Sequence, residues 1–298
     1  MTISTVTEPA ETPPLRTRYS SHVWNVIVRD PLALASTIII VLFLLIAVFA
    51  PWIAPYPDQG MGRSNPSTIT LPPSLAHPFG TDHLGRDVLS RVIMGSRPAF
   101  AVPLMVVAVA VLIGAPLGAL AGYKGGKTDE MIMRLTDLFL AFPSLLLAMA
   151  ITAALGRGLR NAAIALIISW WPWYTRLVRG IAISLRERYF VEAARSIGVR
   201  DSVIIARHIL PNSISPILVQ ASVDLGTVIL AMGGLAFIGL GTQPPYPDWG
   251  LMISEGRTSI LNQWWLSTFP GLAIFIVVLA FNLLGDVLRD IFDPRQYQ

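Results

Sequence analysis

The sequence predicts an all-α polytopic membrane protein with six transmembrane helices, and three observations carry that expectation. Of its 298 residues, 53% are hydrophobic and only 13% charged, against about 25% charged in an average soluble domain. Uncharged apolar runs recur at lengths near the ~20 residues that a helix needs to cross hydrocarbon. Lys and Arg fall between these runs and favour alternate connections, as the retention of cations on the cytoplasmic side demands.

Taken in order, residues 1–30 are polar and Pro-containing and read as a cytoplasmic tail. The apolar run after them is too long and too far from the start for a cleaved signal peptide. It gives the first helix, 31–55, centred on Leu32 to Ala50, with Pro51 and Trp52 marking an interface. An extracytoplasmic loop, 56–97, leads to a core spanning 98–290. There the uncharged stretch Pro98 to Tyr123 gives a second helix and Leu138 to Leu155 a third. Asn161 to Thr175 gives a fourth, ending in Trp170, Trp171, Trp173 and Tyr174, whose amphipathic rings favour the membrane-water boundary. The fifth runs from Ile214 to Leu240, the sixth from Trp265 to Leu284, and residues 291–298 form a second tail. With the N-terminus inside, fifteen of the 22 cations lie in inside segments and seven outside, so both termini are expected in the cytoplasm of a cell bounded by this plasma membrane.

Other classes fit less well. The absence of cysteine removes disulfides and thiolate chemistry. The net charge of +4 comes from cations set between apolar runs, not from a basic-aromatic patch, so nucleic acid is not an expected partner. The helices hold no paired acids, no HExxH and no serine-histidine arrangement that would build a catalytic centre. A secondary transporter is the main rival, but it needs ion-coupling residues, and Asp224 alone is thin support.

Three connections, 55–97, 241–264 and 179–212, exceed the ~2–8 residues that packed helices require. The innermost carries seven cations if Arg176 is included. Within its central stretch, 180–212, Phe190, Ala194 and Ile197 fall on one helical face while Arg188, Glu192 and Arg195 point elsewhere. Gly198 should close that helix in a left-handed conformation. Asp201 or Ser202 should cap a second short one, and Pro211 should stop or kink it. The expected product is a helical elbow outside the bilayer, with Ala193 and Ala194 small enough for another protein to approach its backbone.

Asp224 is the acid deepest in an expected span, where a carboxylate costs about 2.5 kcal/mol or more. Gln220 and Thr227 share its helix face, so the three form either a pathway-lining group or an interhelical polar seam, the latter worth about 0.6 kcal/mol per hydrogen bond. Two other signals are weaker. Ala121 to Thr128 imitates a phosphate-cradling loop, but it lacks the first glycine and follows a membrane helix instead of a strand. His77, Asp82 and His83 suggest a metal site only by composition, and no metal ligand set is expected.

The succession Glu192-Ala193-Ala194, Gly198 and His208-Ile209-Leu210-Pro211-Asn212 resembles the EAA loop of ABC importer permeases. His77 to Asp82, Gly85 to Arg91, Gln243-Pro244-Pro245 with Asp248-Trp249-Gly250, and Phe281 to Asp286 with Leu288-Arg289-Asp290 are similar to segments of the dipeptide, oligopeptide and nickel permease family, in its C-type subunit. The likeness runs from about residue 20 to 294. It implies a type I ABC importer permease fold in a bacterial inner membrane, with Glu192, Ala193, Ala194, Gly198, His208 and Pro211 coupling to an ATPase. It further implies a homologous second permease, two ATPase subunits that hold ATP and magnesium, a solute-binding protein, and no cofactor on this subunit. Small peptides are the expected cargo; nickel or another small solute is the alternative.

Overall fold

A computed structural model describes residues 30–292, so the expected tails lie outside the described residues except for Asp30, Ile291 and Phe292. Among the described residues the chain is helical and has no strand, only an isolated bridge between Thr81 and Asp87. The first helix, α1 (Pro31–Ile53), starts at Asp30, whose side chain accepts from the Leu32 amide at 2.9 Å. Proline follows that cap at the first helical position, where no amide hydrogen is needed. Leu32, Ile38, Leu42, Leu45 and Phe49 stand exposed along α1. A helix that leaves so much aliphatic surface outward requires hydrocarbon around it.

The second helix, α2 (Val88–Lys124), is 37 residues long, ~55 Å at 1.5 Å per residue, and begins ten residues before the expected Pro98. Its start is set by Asp87, whose carboxylate accepts from the Ser90 amide at 2.7 Å. Arg91, which marks the region as loop by charge, is 1% exposed and neutralised by Asp82 and Glu255 at 3.6 and 3.5 Å.

The expected third span, Leu138 to Leu155, is not one helix. The chain forms α3 (Gly126–Leu140) and α4 (Ser144–Leu155), bent by 83° at a break over 141–143. Pro143 explains the break, since the residue before a proline is driven out of helical conformation. At 12 residues α4 is too short to cross alone. Next, α5 (Leu159–Arg186) continues well past the expected Thr175.

The elbow itself is built from α6 (Tyr189–Ser196) and α7 (Asp201–Ile204), and after it come α8 (Ile214–Phe237), α9 (Trp249–Gly256) and α10 (Trp265–Phe292). Four of these, α1, α2, α8 and α10, are long and apolar enough to cross a membrane, with a fifth if α3 and α4 count together. The fourth expected span, α5, has the length but not the apolarity, because Arg176, Arg179 and its polar residues dilute it.

The most extensive interface joins α2 to α5; α8 packs on α10, and α1 lies across α2 and α10. One buried cluster unites α2, α5, α8 and the elbow, and a second unites α1, α2, α9 and α10. At the end of the bundle opposite the elbow, segments 55–97 and 241–264 form one cap. There Arg86 meets Asp82 at 2.6 Å and Glu255 at 3.2 Å, while His77 meets Asp87 at 2.8 Å. His77 and Asp82 are thus committed to other partners and His83 is exposed. Asp248 caps α9 from inside this cap, and burial pushes its carboxyl above the usual range against bonds from the Leu251 amide and the Thr242 hydroxyl.

Candidate functional site: an elbow between α5 and α8, and a polar cleft beside them

The elbow is built from a short amphipathic helix closed by a glycine. In α6 only Val191 and Ala194 are buried, because a helix of eight residues has room for one apolar pair at i, i+3 spacing. Its C-terminus is a two-bond cap: the Gly198 amide donates to the Arg195 carbonyl at 3.0 Å and the Val199 amide to the Ala194 carbonyl at 3.1 Å. That pattern needs a left-handed residue at its centre, and Gly198 has φ +80°.

The second arm departs from expectation. Neither Asp201 nor Ser202 caps it; the flanking residue is Arg200, with no side-chain cap. Of the stop or kink expected at Pro211, the stop is not seen at that residue. The helix passes through a wider π turn, Ile205–Ile209, and on into Leu210–Asn212. A proline cannot donate and its ring collides with the carbonyl four residues back, and the wider turn accommodates both.

Asp201 serves another purpose. Its Oδ1 accepts from the Tyr123 hydroxyl at 3.0 Å, and the Arg195 guanidinium lies 5.4 Å above the Tyr123 ring centre. Tyr123, 3% exposed at the end of α2, is therefore the post to which both arms are fastened, and sequence reading missed it inside the Ala121 to Thr128 decoy. Ile204 and Ile209 from the second arm, with Val191 and Ala194, join the α2–α5 cluster.

We expect Tyr123→Phe to cost about 1 kcal/mol, the scale of one hydrogen bond to a charged group that water can partly replace. Hydrogen exchange should show the loss as reduced amide protection across 189–212 with the middle of α2 unchanged; equal protection in both proteins would remove Tyr123 from this role.

The sequence-picked residues divide as follows. Glu192, Ala193, Gly198 and Pro211 are exposed, His208 is half-buried, and Ala194 is buried. The single apolar face expected from Phe190, Ala194 and Ile197 is split: Ala194 packs inward, whereas Phe190 and Ile197 are 44% and 81% exposed. Ile197 lies past the last residue of α6, so helical phase no longer governs it. Only Ala193, not Ala194, is available for close approach from outside. The outward surface of the elbow is thus apolar at Phe190 and Ile197 and carries Glu192 between them.

Beside this lies the polar group of α8. Gln220, Asp224 and Thr227 all line one cleft of ≈ 620 Å³ between α4, α5 and α8. Gln220 Nε2 donates to Asp224 Oδ1 at 3.1 Å, and the Thr227 hydroxyl donates to the Val223 carbonyl at 3.2 Å.

A bundle of apolar helices with an elbow at one end and an ion-paired cap at the other defines a multi-pass membrane protein of the permease type. The chain belongs to the family described as binding-protein-dependent transport system inner membrane component, which matches residues 114–297; residues 19–73 match the N-terminal TM domain of oligopeptide transport permease C. Among curated relatives it is 45% identical to the probable D,D-dipeptide transport system permease protein DdpC of Escherichia coli (strain K12), over 95% of this chain and 94% of that one. It is 46% identical to the dipeptide transport system permease protein DppC of Alkalihalophilus pseudofirmus, covering 90% and 87%. It is 44% identical to the glutathione transport system permease protein GsiD of Escherichia coli O6:K15:H31, covering 91% and 89%. Its fold is similar to that of a chain in inward-facing structures of the MetNI methionine ABC transporter, with TM-score 0.55 at 18% identity, over 68% of this chain and 97% of that one. The protein is a transport component and not an enzyme.

Proposed function

We propose that this chain is one of two homologous permease subunits in an ATP-driven importer of small peptides, receiving its solute from a separate binding protein. The observation that carries the reading is the elbow: a rigid two-armed knob fastened to α2 by Tyr123 and to the bundle by Ile204 and Ile209, with an apolar outer surface left free. Such a knob transmits rigid-body motion from an attached motor into helices that have two packings. In this reading the elbow and both termini are cytoplasmic, and Glu192, Ala193 and Gly198, with His208 and Pro211, present the coupling surface. ATP and magnesium are held by two partner ATPases, with no cofactor on this chain. The named solutes of the three relatives supply the peptide class, and the family description supplies the binding protein.

The test is uptake into liposomes holding the complete purified complex, with loaded binding protein outside and nucleotide inside. Uptake by the wild type should stop when ATP is omitted. Glu192→Lys should reduce uptake and solute-stimulated hydrolysis by about tenfold or more, since a like-charge contact in a docking surface costs several kcal/mol and each ~1.4 kcal/mol is a factor of ten. Uptake that persists without nucleotide would overturn the reading.

A further inference from the structure

We propose that the cleft between α4, α5 and α8 is a subsite for the primary ammonium group of the transported solute, with Asp224 as its counter-charge; this deepens the peptide-importer reading and rests on it. The cleft takes Ser144 from α4, Trp170 and Trp173 from α5, and Gln220, Asp224 and Thr227 from α8. Asp224 is 8% exposed. One of its oxygens accepts from Gln220, whereas the other, Oδ2, is buried without a partner. Across the same helix contact the Tyr174 hydroxyl is also buried without a partner. No Lys, Arg or His lines the cleft among the described residues. The Tyr174 hydroxyl and the Trp170 indole also face this carboxylate, but like Gln220 they are neutral, so an ionised carboxylate, which offers acceptor capacity only, keeps its charge unanswered.

A purely interhelical role does not require that charge, because an asparagine would bond Gln220 and Tyr174 at lower cost of burial. Nor does a position facing lipid suit it, since acids within spans turn to a water-filled path or a partner. An ammonium supplies what is missing: a positive charge with three donors. The indoles of Trp170 and Trp173 line the same cleft, and aromatic rings are partners such a cation favours. The volume, ≈ 620 Å³, lies in the range of about 300–1,000 Å³ that small-solute sites occupy. The solutes named for the relatives, a D,D-dipeptide, a dipeptide and glutathione, differ in backbone chirality and linkage yet share an amino-terminal ammonium group. A counter-charge reads that shared group and ignores the rest.

The experiment uses the complete complex in liposomes with its binding protein. The wild type is offered Ala-Ala, D-Ala-D-Ala and glutathione, each radiolabelled, and the one taken up fastest in an ATP-dependent manner becomes the probe. Asp224→Asn, which keeps shape and hydrogen-bonding capacity but loses charge, should then slow uptake by about tenfold or more, on the scale of one charge-assisted hydrogen bond. Asp224→Glu, which keeps the charge and strains the packing, should retain more of the rate than Asn. The opposite order, with Asn at or near the wild-type rate and Glu impaired, is the signature of an interhelical bond and overturns this assignment alone. ATP-dependent uptake of none of the three solutes overturns the peptide class itself, and this assignment with it.

Discussion

Gly198→Val is expected to abolish both solute uptake and solute-stimulated ATP hydrolysis by the assembled transporter. A Cβ at this position would meet no atom within 4 Å, so the glycine is not there to make room. It is there because φ is +80°, a region that costs an ordinary L-residue roughly 1–2 kcal/mol and a β-branched one more. Valine would push the backbone back toward negative φ and break the bonds from Gly198 and Val199 to Arg195 and Ala194. The second arm, aimed by that turn, would then point elsewhere and leave the Tyr123–Asp201 contact. Because the strain is conformational and not steric, the outcome should be graded. Gly198→Asn, which tolerates left-handed backbone, should keep most of the coupling; Gly198→Ala should lie between the two. Comparing ATP hydrolysis and uptake across the three variants checks this, and a flat series with full activity throughout would show that the direction of the second arm does not matter.

The reach of the sequence follows from how local each signal is. Apolar runs placed α1, α8 and the start of α10 because hydropathy over twenty residues is a property of the chain itself. The position of Gly198 was legible for the same reason, since one glycine after an amphipathic turn announces a left-handed cap. The start of α2 was not legible. Arg91 and Arg97 read as loop, and the carboxylate that lets Arg91 be buried, Glu255, is 164 residues away. The broken third span was signalled by Pro143, but an apolar stretch running through a proline also fits a kinked single helix. Tyr123 was invisible because its partner, Asp201, lies 78 residues on. Asp224 was found as a lone acid, yet Trp170, Trp173 and Tyr174, which give its surroundings their chemistry, read only as an interface belt. Those rings share the cleft and its wall because α5 packs beside α8, a fact of the fold and not of their own segment.

That packing hangs on a stripe of three glycines, and Gly118→Val is expected to prevent accumulation of a folded chain. Gly114, Gly118 and Gly122 repeat every four residues along α2, so they lie on one face, and the face is turned to α5. A Cβ at Gly118 would stand 2.3 Å from the Thr175 carbonyl oxygen and 2.9 Å from the Arg179 amide nitrogen. The same atom at Gly114 and Gly122 would stand 2.4 and 2.5 Å from the Trp171 and Arg179 carbonyl oxygens. All of these neighbours are backbone, so no rotamer change relieves the collision and the two helices must separate. Within a membrane close approach is itself the source of helix affinity, because lipid tails are as apolar as side chains. Overpacking a core costs about 1–3 kcal/mol where side chains can yield, and valine here should exceed that range. Separation would also slacken the Asp129–Arg179 pair, which holds α3 to α5 with bonds of 2.5 and 2.7 Å. Gly180 provides the contrast: it lies within α5, yet a Cβ there meets nothing within 4 Å. Gly180→Ala should therefore stabilise by about 0.5–1 kcal/mol through helix propensity. Thermal melts of the detergent-extracted complexes would show the first variant destabilised or absent and the second unchanged or raised; equal melting of both would mean that α2 and α5 are not held together by this stripe.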